Sequence, residues 1–206
     1  RFWEQFPLGH LVLPVLLVVC ASCGVKSPSL VTKAQAAIPP PQPTSQECLV
    51  ATATHEVGTQ ETGWNAGPRI VEYQASTNAA KGTPYCASGV HWTFRRCGRV
   101  IEPHWEFAAA KRWAKEHEVF RKGQLDQFND ASLGHQFQRI SMDADVFTLY
   151  YSKLGRVGHV GFIVGEDEDY LTTVEFNTGP GGSREGEGVY KRKRRKDAVH
   201  SVNRWW

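Results

Sequence analysis

Apolar residues recur every three or four positions in four stretches of the chain, which is the spacing of amphipathic helices. These stretches are 45–58, 69–76, 84–97 and 105–120. The first has a clear start, because Thr44 followed three residues later by Glu47 has the spacing of a capping box. Gly58 is expected to end it. The fourth helix is inferred from the spacing of Trp105, Ala108, Ala109, Trp113 and Phe120.

Three later stretches are rich in β-branched and aromatic residues, which favours strands. They are 146–151, 158–164 and 170–177, and the acidic segment 165–169 between the last two has the length of a hairpin loop. Together they predict an antiparallel meander of at least three strands, on which the helix at 84–97 packs. The predicted fold class is therefore α+β, with N-terminal helices on a small antiparallel sheet.

Residues 1–45 have a different character from the rest of the chain. An apolar run at 11–20 is too short for a comfortable transmembrane helix and is followed by Ala21 and Ser22, as in a secretory signal over residues 1–23. The small residues before Cys23 resemble a bacterial lipobox, so Cys23 is the candidate for lipidation and membrane anchoring. Simple secretion and an unprocessed membrane-associated end are the alternatives.

The segment 24–45 is small, polar and rich in proline, which predicts an extended spacer between the N-terminal signal and a folded domain. The domain is assigned to residues 46–206. We expect this domain to lie outside the cytoplasm, either in the bacterial cell envelope or secreted.

Composition and charge narrow the possible partners. With 41% hydrophobic residues the chain can bury the core of one domain, and a formal net charge of +3 is too small to imply a polyanionic partner. The basic run at 191–196 lies in a strand-like end of the chain, which favours an exposed strand over a nucleic-acid site. The spacing of the histidines matches no compact zinc motif. We expect a monomer without metal, cofactor or nucleic acid.

Cys86 is the first candidate for chemistry. Pro84 disfavours helix for the residue before it and is itself accepted in a first helical turn, so a helix is expected to begin near Cys86. A thiol in that position lies among unpaired backbone N–H groups at the positive end of the helix dipole, and both favour the reactive thiolate. The alternative is a buried apolar cysteine without a catalytic role.

The predicted hairpin supplies possible partners for this thiol. If Val164 pairs with Tyr170, antiparallel pairing places His159 opposite Glu175, close enough for a hydrogen bond. Strand alternation puts Asn177 on the same face as Glu175. A slip of one residue would turn these side chains to opposite faces, so the prediction depends on the register. A cysteine, a histidine and an acid would supply the nucleophile, the general base and the group that orients the base.

Three segments resemble the signature blocks of the CHAP-type cysteine hydrolases, a papain-like and NlpC/P60-related family. They are Pro-Tyr-Cys-Ala-Ser-Gly-Val-His-Trp at 84–92, Gly-His-Val-Gly-Phe-Ile-Val at 158–164 and Val-Glu-Phe-Asn-Thr at 174–178. The resemblance spans roughly residues 46–206 in the right order and implies a papain-like fold. It further implies that Cys86 is the nucleophile, His159 the base, Glu175 the residue that orients the base and Asn177 a further polar member of the site.

In the family that the chain resembles, the loop and helix before the catalytic cysteine help to wall the cleft. Trp64, Asn65 and Tyr85 are therefore candidates for substrate binding. Packing within the domain is the alternative role for Trp64 and Tyr85.

The resemblance implies cleavage of an amide bond in bacterial peptidoglycan, by an N-acetylmuramoyl-L-alanine amidase or an endopeptidase. One alternative is an inactive lipoprotein that binds the envelope, and another is a cysteine amidase or peptidase with a substrate other than the cell wall. A nucleophile in an oxidising compartment must also escape disulfide formation. Cys97 lies about 16 Å from Cys86 along one helix, too far for a bridge. Pairing of Cys48 with Cys97 would leave Cys86 free, but the sequence does not decide it.

Overall fold

Three α-helices precede an antiparallel sheet in the computed structural model, which describes residues 44–122, 140–183 and 185–206. The helices are α1 (Ser45–His55), α2 (Pro68–Ser76) and α3 (Cys86–Arg96). The strands are β1 (Glu118–Arg121), β2 (Val146–Tyr151), β3 (Arg156–Glu166), β4 (Tyr170–Thr178), β5 (Gly188–Arg195) and β6 (Ser201–Asn203), in the spatial order β1-β6-β2-β3-β4-β5. The fold is α+β. The signal at 1–23 with Cys23, the spacer up to residue 43 and the segment 123–139 lie outside the described residues.

The predicted capping box starts α1. The backbone N–H of Glu47 donates to Thr44 Oγ1 at 3.1 Å, and the Thr44 N–H donates to Glu47 Oε2 at 2.8 Å. Helix α1 therefore begins at Ser45, with Thr44 as its N-cap. A disulfide joins Cys48 in α1 to Cys97 at the end of α3 and leaves Cys86 free. The pairing that the sequence left open is thus present.

Helix α3 lies against β3 and β4, and one of its residues explains how closely it packs. A Cβ built on Gly89 would lie 2.3 Å from the ring of Phe176 on β4. Phe94, one and a half turns further along α3, packs against Phe162 on β3 with ring centroids 5.5 Å apart. Gly89 is therefore required for the close approach of helix and sheet, despite its low helix propensity. This contact brings the start of α3 to the strands.

The prediction of one helix over 105–120 is wrong. The chain forms two short 3-10 helices, His104–Ala108 and Ala110–Ala114, and then enters β1. Ala109 between them has extended backbone angles, with φ −102° and ψ 122°, so no continuous helix can form. Trp105, which the helical spacing placed in the core, is 62% exposed.

Aromatic packing determines the conformation of the two 3-10 helices. Phe107 and Trp113 are fully buried, and both pack edge-on against Trp205, with ring centroids 5.3 and 5.4 Å away. The indole N–H of Trp205 donates to the Trp113 carbonyl at 3.2 Å. The apolar spacing at 105–120 thus arises from contacts with the distant C-terminus, and local periodicity alone does not reveal such contacts.

Candidate active site

Cys86 is the first residue of α3, as predicted, and Tyr85 is the N-cap. Cys86 is 7% exposed and lines a cavity of about 340 Å³. The wall of this cavity consists mainly of small residues from 79–84 and 108–110, together with Arg156 and Gly158. The first N–H groups of a helix have no intrahelical acceptors, so this end of α3 can stabilise negative charge on the thiol or on a bound carbonyl oxygen.

His159 on β3 is fully buried and hydrogen-bonded to Glu175 on β4. Its Nε2 lies 2.8 Å from Glu175 Oε2, while Nδ1 has no hydrogen-bond partner of acceptable geometry among the described residues. Burial lowers the pKa of His159, but interactions with Cys86 and then with Glu175 outweigh burial and raise this pKa to about 9. The imidazole is hydrogen-bonded to the carboxylate and near enough to the thiol for both groups to stabilise its protonated form.

The predicted register, with His159 directly opposite Glu175, is wrong by two residues. β3 and β4 pair through Phe162 and Val174, which places Gly161 opposite Glu175. The hairpin is tighter than predicted, because Glu166 pairs with Leu171, and a bulge between Ile163 and Gly165 then moves the pairing back by one residue. No local sequence pattern indicates either feature. Because side chains alternate with a period of two, a shift of two residues preserves the face, and the carboxylate reaches His159 diagonally.

Gly161 leaves the space for this diagonal contact. A Cβ at this position would lie 2.8 Å from Phe147 Cε1 and 3.1 Å from Glu175 Cγ. Any larger residue would therefore displace the acid or the Phe147 ring. The glycine in the motif around His159 thus has a steric role in positioning Glu175.

The Glu175 carboxylate is completely buried and accepts hydrogen bonds from three side chains. These are His159, Thr173 Oγ1 at 2.7 Å, and Arg194, whose Nε and Nη2 lie 2.8 and 2.6 Å from the two oxygens. Burial raises the pKa of Glu175, but Arg194 and then His159 more than offset this and hold it well below its ordinary value. The acid is therefore ionised whenever the protein is folded near neutral pH, and it stabilises a positive imidazole.

Arg194 is a site residue that the sequence analysis missed, because the basic run at 191–196 was interpreted only as an exposed strand. The run does form a strand, but its side chains alternate: Lys193 and Arg195 are exposed, whereas Arg194 turns inward and its side chain is only 16% exposed. Strand alternation within the basic run was the available signal. This alternation indicates which basic side chains point inward, but it does not indicate which carboxylate they pair with.

Asn177 departs from the regular strand. Its φ is 54°, and the pairing of β4 with β5 is irregular between Glu175 and Thr178. The side chain is 1% exposed, and neither amide atom has a hydrogen-bond partner within the described parts of the chain. The predicted alternation with Glu175 therefore does not describe this residue, and no hydrogen bond joins it to His159.

Asn177 instead lines a second cavity of about 250 Å³, which we call the acidic cavity. Its lining residues are Glu61, Trp64, Asn65, Asn177, Glu185, Gly186 and Glu187. The structure thus brings two of the predicted substrate-binding residues, Trp64 and Asn65, to one wall with Asn177. Trp64 is 74% exposed, and Asn65 is buried.

Tyr85, the third predicted substrate-binding residue, lies in the core. Its ring is fully buried and stacks on Tyr73 with centroids 5.9 Å apart. Burial, and then the nearby Glu61 carboxylate, raise the pKa of Tyr85 above its ordinary value. Its hydroxyl makes no hydrogen bond of acceptable geometry with any described residue. The structure therefore supports the packing role that was the alternative for this residue.

No protein-family model, curated protein or solved structure matches the chain. Over residues 44–122, 140–183 and 185–206, no three histidine, cysteine or acidic side chains are grouped so that they could hold a metal ion. No helix in the same ranges has the length and apolar character needed to cross a membrane. The function of the protein is therefore inferred from the geometry around Cys86.

Proposed function

We propose that the protein is a papain-like cysteine hydrolase of the CHAP type that cleaves an amide bond in bacterial peptidoglycan. The observation that carries the proposal is the juxtaposition of three groups: a free cysteine at the start of α3, a buried histidine whose pKa that cysteine raises, and a buried carboxylate 2.8 Å from that histidine. Each of the three segments that resemble the family's signature blocks contributes one of these groups, which supports the family and, with it, the substrate class.

The geometry supports a covalent mechanism. The Cys86 thiolate attacks the amide carbonyl carbon, and N–H groups at the start of α3 stabilise the oxyanion of the tetrahedral intermediate. The imidazolium of His159 then donates its proton to the amide nitrogen and the C–N bond breaks. The amine departs, and the acyl group remains on the Cys86 sulfur as a thioester. Neutral His159 next takes a proton from water, whose oxygen attacks the thioester. Release of the carboxylic acid restores the thiolate and the imidazolium.

Glu175 and Arg194 act on this cycle indirectly. Glu175 fixes the orientation of the imidazole through Nε2, so Nδ1 is the nitrogen left for proton transfer. Arg194 holds the carboxylate by two hydrogen bonds and keeps it ionised. We therefore regard both as positioning residues rather than catalytic ones.

The disulfide supports an extracytoplasmic location. Cys48 and Cys97 are paired, while the thiol required for catalysis is free. Structural disulfides persist in oxidising compartments and are rare in the cytosol. The cell wall lies in such a compartment. Attachment to the membrane through a lipid on Cys23 belongs to the same proposal.

The test is incubation of purified peptidoglycan with wild-type protein and with the Cys86→Ala variant, followed by mass spectrometry of the soluble fragments. We expect fragments from the wild type alone, and their new termini will identify the bond as sugar–peptide or peptide–peptide. Circular dichroism of both proteins controls for folding. Equal release by the Cys86→Ala variant would refute the nucleophile.

Absence of fragments would be informative when combined with alkylation of the free thiol by iodoacetamide. A reactive Cys86 without wall cleavage would favour a different amide substrate. An unreactive Cys86 in a folded protein would favour an envelope-binding protein without turnover. Both results would reject peptidoglycan hydrolysis as the function.

A further inference from the structure

The acidic cavity is lined by Asn177, two residues beyond Glu175 on β4, and by charges of one sign. Three carboxylates line it, from Glu61, Glu185 and Glu187, and no lysine or arginine of the described residues does. By contrast, the charged residue that lines the Cys86 cavity is Arg156. Low-dielectric walls with charges of one sign concentrate the electrostatic potential in a cleft. The acidic cavity therefore favours a positively charged group.

The walls of the acidic cavity are held together by backbone pairing. The Glu61 N–H donates to the Glu187 carbonyl at 2.7 Å, and Gln60 forms a bridge with Gly188. The Glu61 carboxylate also accepts from the Asn65 N–H at 2.8 Å through Oε2. These contacts fix the loop after α1 against the start of β5. The carboxylates consequently belong to a preformed wall rather than to two independent loops.

A polar side chain without a hydrogen-bond partner lines this preformed cavity. Asn177 is 1% exposed, yet neither its Oδ1 nor its Nδ2 has a partner among the described residues. Buried polar groups are nearly always hydrogen-bonded in native proteins, so such an exception requires an explanation. A ligand that donates a hydrogen bond would satisfy Asn177 Oδ1.

We propose that the acidic cavity binds a primary ammonium group of the substrate. An ammonium group carries one positive charge and three hydrogen-bond donors, which suit Asn177 Oδ1 and the Glu61 and Glu187 carboxylates that line the cavity. Trp64 is 74% exposed and offers an indole face for a cation–π contact. A metal ion is the poorer occupant, because no cluster of three metal-ligating side chains exists in the described part of the chain.

This inference rests on the proposed function and narrows its substrate. A wall peptide presents a primary ammonium either at a free N-terminus or on the side chain of a diamino acid. Both have the same chemistry, and the cavity would hold one of them while Cys86 attacks an amide bond of the same peptide. Acylation of that amine would remove its charge and two of its three donors.

The first experiment compares native peptidoglycan with peptidoglycan whose amines have been acetylated. Wild-type protein should cleave the acetylated material at least about tenfold more slowly, the effect of losing one charge-assisted hydrogen bond. Glu187→Gln and Glu61→Gln should slow cleavage of the native material and abolish the discrimination between the two. Glu168→Gln, the same charge change in the distant β3–β4 hairpin, should behave as wild type.

The outcomes separate the two proposals. Equal rates on both materials would overturn the ammonium subsite and leave the hydrolase intact. Cleavage of neither by folded wild-type protein would overturn the hydrolase and, with it, the subsite. Loss of discrimination in Glu168→Gln would show that net charge rather than the acidic cavity recognises the amine, which also overturns the subsite.

A second experiment identifies the amine without turnover. The Cys86→Ala protein is titrated calorimetrically with synthetic alanyl-γ-glutamyl-lysyl-alanine in its free, Nα-acetylated and Nε-acetylated forms. Acetylation of the recognised amine should weaken binding about tenfold, whereas acetylation of the other should have little effect. Equal affinity for all three forms, or binding of none, would overturn the proposal.

Discussion

Two histidines are buried, one within α3 and one on β3, which packs against α3. Their surroundings shift their pKa values in opposite directions. His91 lies within α3 and is 1% exposed, and His159 lies on β3 and is fully buried. Burial lowers the pKa of His91, and a hydrogen bond with the Ile101 carbonyl compensates only in part, so the net shift is downward. The same burial acts on His159, yet Cys86 and Glu175 raise its pKa to about 9.

The difference shows that the partners, rather than depth in the protein, decide which buried histidine can carry a charge. His91 meets neutral groups, since Nδ1 lies 3.2 Å from Ser76 Oγ and Nε2 lies 3.2 Å from the Ile101 carbonyl. A neutral tautomer can donate to only one of these oxygens, because the Ser76 hydroxyl itself donates to the Ser88 carbonyl at 3.0 Å. His159 meets a carboxylate and a thiol, which favour its protonated form.

The contributions of His91 and His159 to folding stability should therefore change with pH in opposite directions. The pKa of His91 is lowered on folding, so its contribution to stability is present above its unfolded pKa of 6.5 and is lost as the pH falls. The pKa of His159 is raised on folding, so its contribution is present below 6.5 and is lost as the pH rises through about 9. One residue stabilises by staying neutral, and the other by becoming charged.

The largest expected effect comes from exchanging each histidine for glutamine. His159→Gln removes the proton donor and should lower kcat/KM on peptidoglycan by about 10³-fold or more. His91→Gln retains hydrogen-bonding capacity within the core and should lower stability by about 1 kcal/mol while preserving most activity. Fragment release and urea unfolding measure the two quantities. Comparable activity losses in both variants would show that His159 supports the fold, as His91 does, and does not act in proton transfer.

The next largest effect concerns Arg194, the cationic partner of the Glu175 carboxylate. Arg194→Met leaves the buried Glu175 carboxylate without its cationic partner and should cost about 3 kcal/mol of unfolding free energy at neutral pH, measured in urea. Arg195→Met, the exposed neighbour on the same strand, is the matched control and should change stability by less than about 1 kcal/mol. Adding Glu175→Gln to Arg194→Met should restore part of the loss, since no buried charge would then be unpaired. Equal losses in both single variants would contradict the role of Arg194.

Much of this site was predictable from the sequence, since its signals are local. Pro84 before Cys86 indicated where α3 begins, and the structure confirms it. The pairing of His159 with Glu175 was predicted with the wrong register. It still gave the correct contact, because an error of two residues preserves the face of a strand.

The rest depended on contacts between distant segments. Arg194 lies in a run of basic residues, and only the pairing of β4 with β5 shows that it reaches Glu175. Helical spacing predicted a helix around Trp113, whereas packing against Trp205 produced short 3-10 turns. Asn177 was placed by regular alternation, and its left-handed backbone breaks that rule. In each case a nonlocal contact or an irregular backbone outweighed a local pattern.

The smallest effect tests whether Glu175 causes the difference between the histidines. The His159 imidazolium must hold a proton to donate to the leaving amine, so wild-type activity should fall as the pH rises through about 9. Glu175→Gln removes one of the two groups that raise this pKa, and the alkaline limb should move to lower pH. Activity at neutral pH should fall about tenfold, the effect of one charge-assisted hydrogen bond.

The measurement is kcat/KM for fragment release from pH 6 to 10, with His91→Gln as the control, since the profile of that variant should retain the wild-type limb. An unchanged limb in Glu175→Gln would assign the raised pKa to Cys86 alone. In that case, the acid would serve only to orient the ring. A shifted limb with a normal maximum rate would instead make Glu175 an electrostatic partner whose orienting role is dispensable.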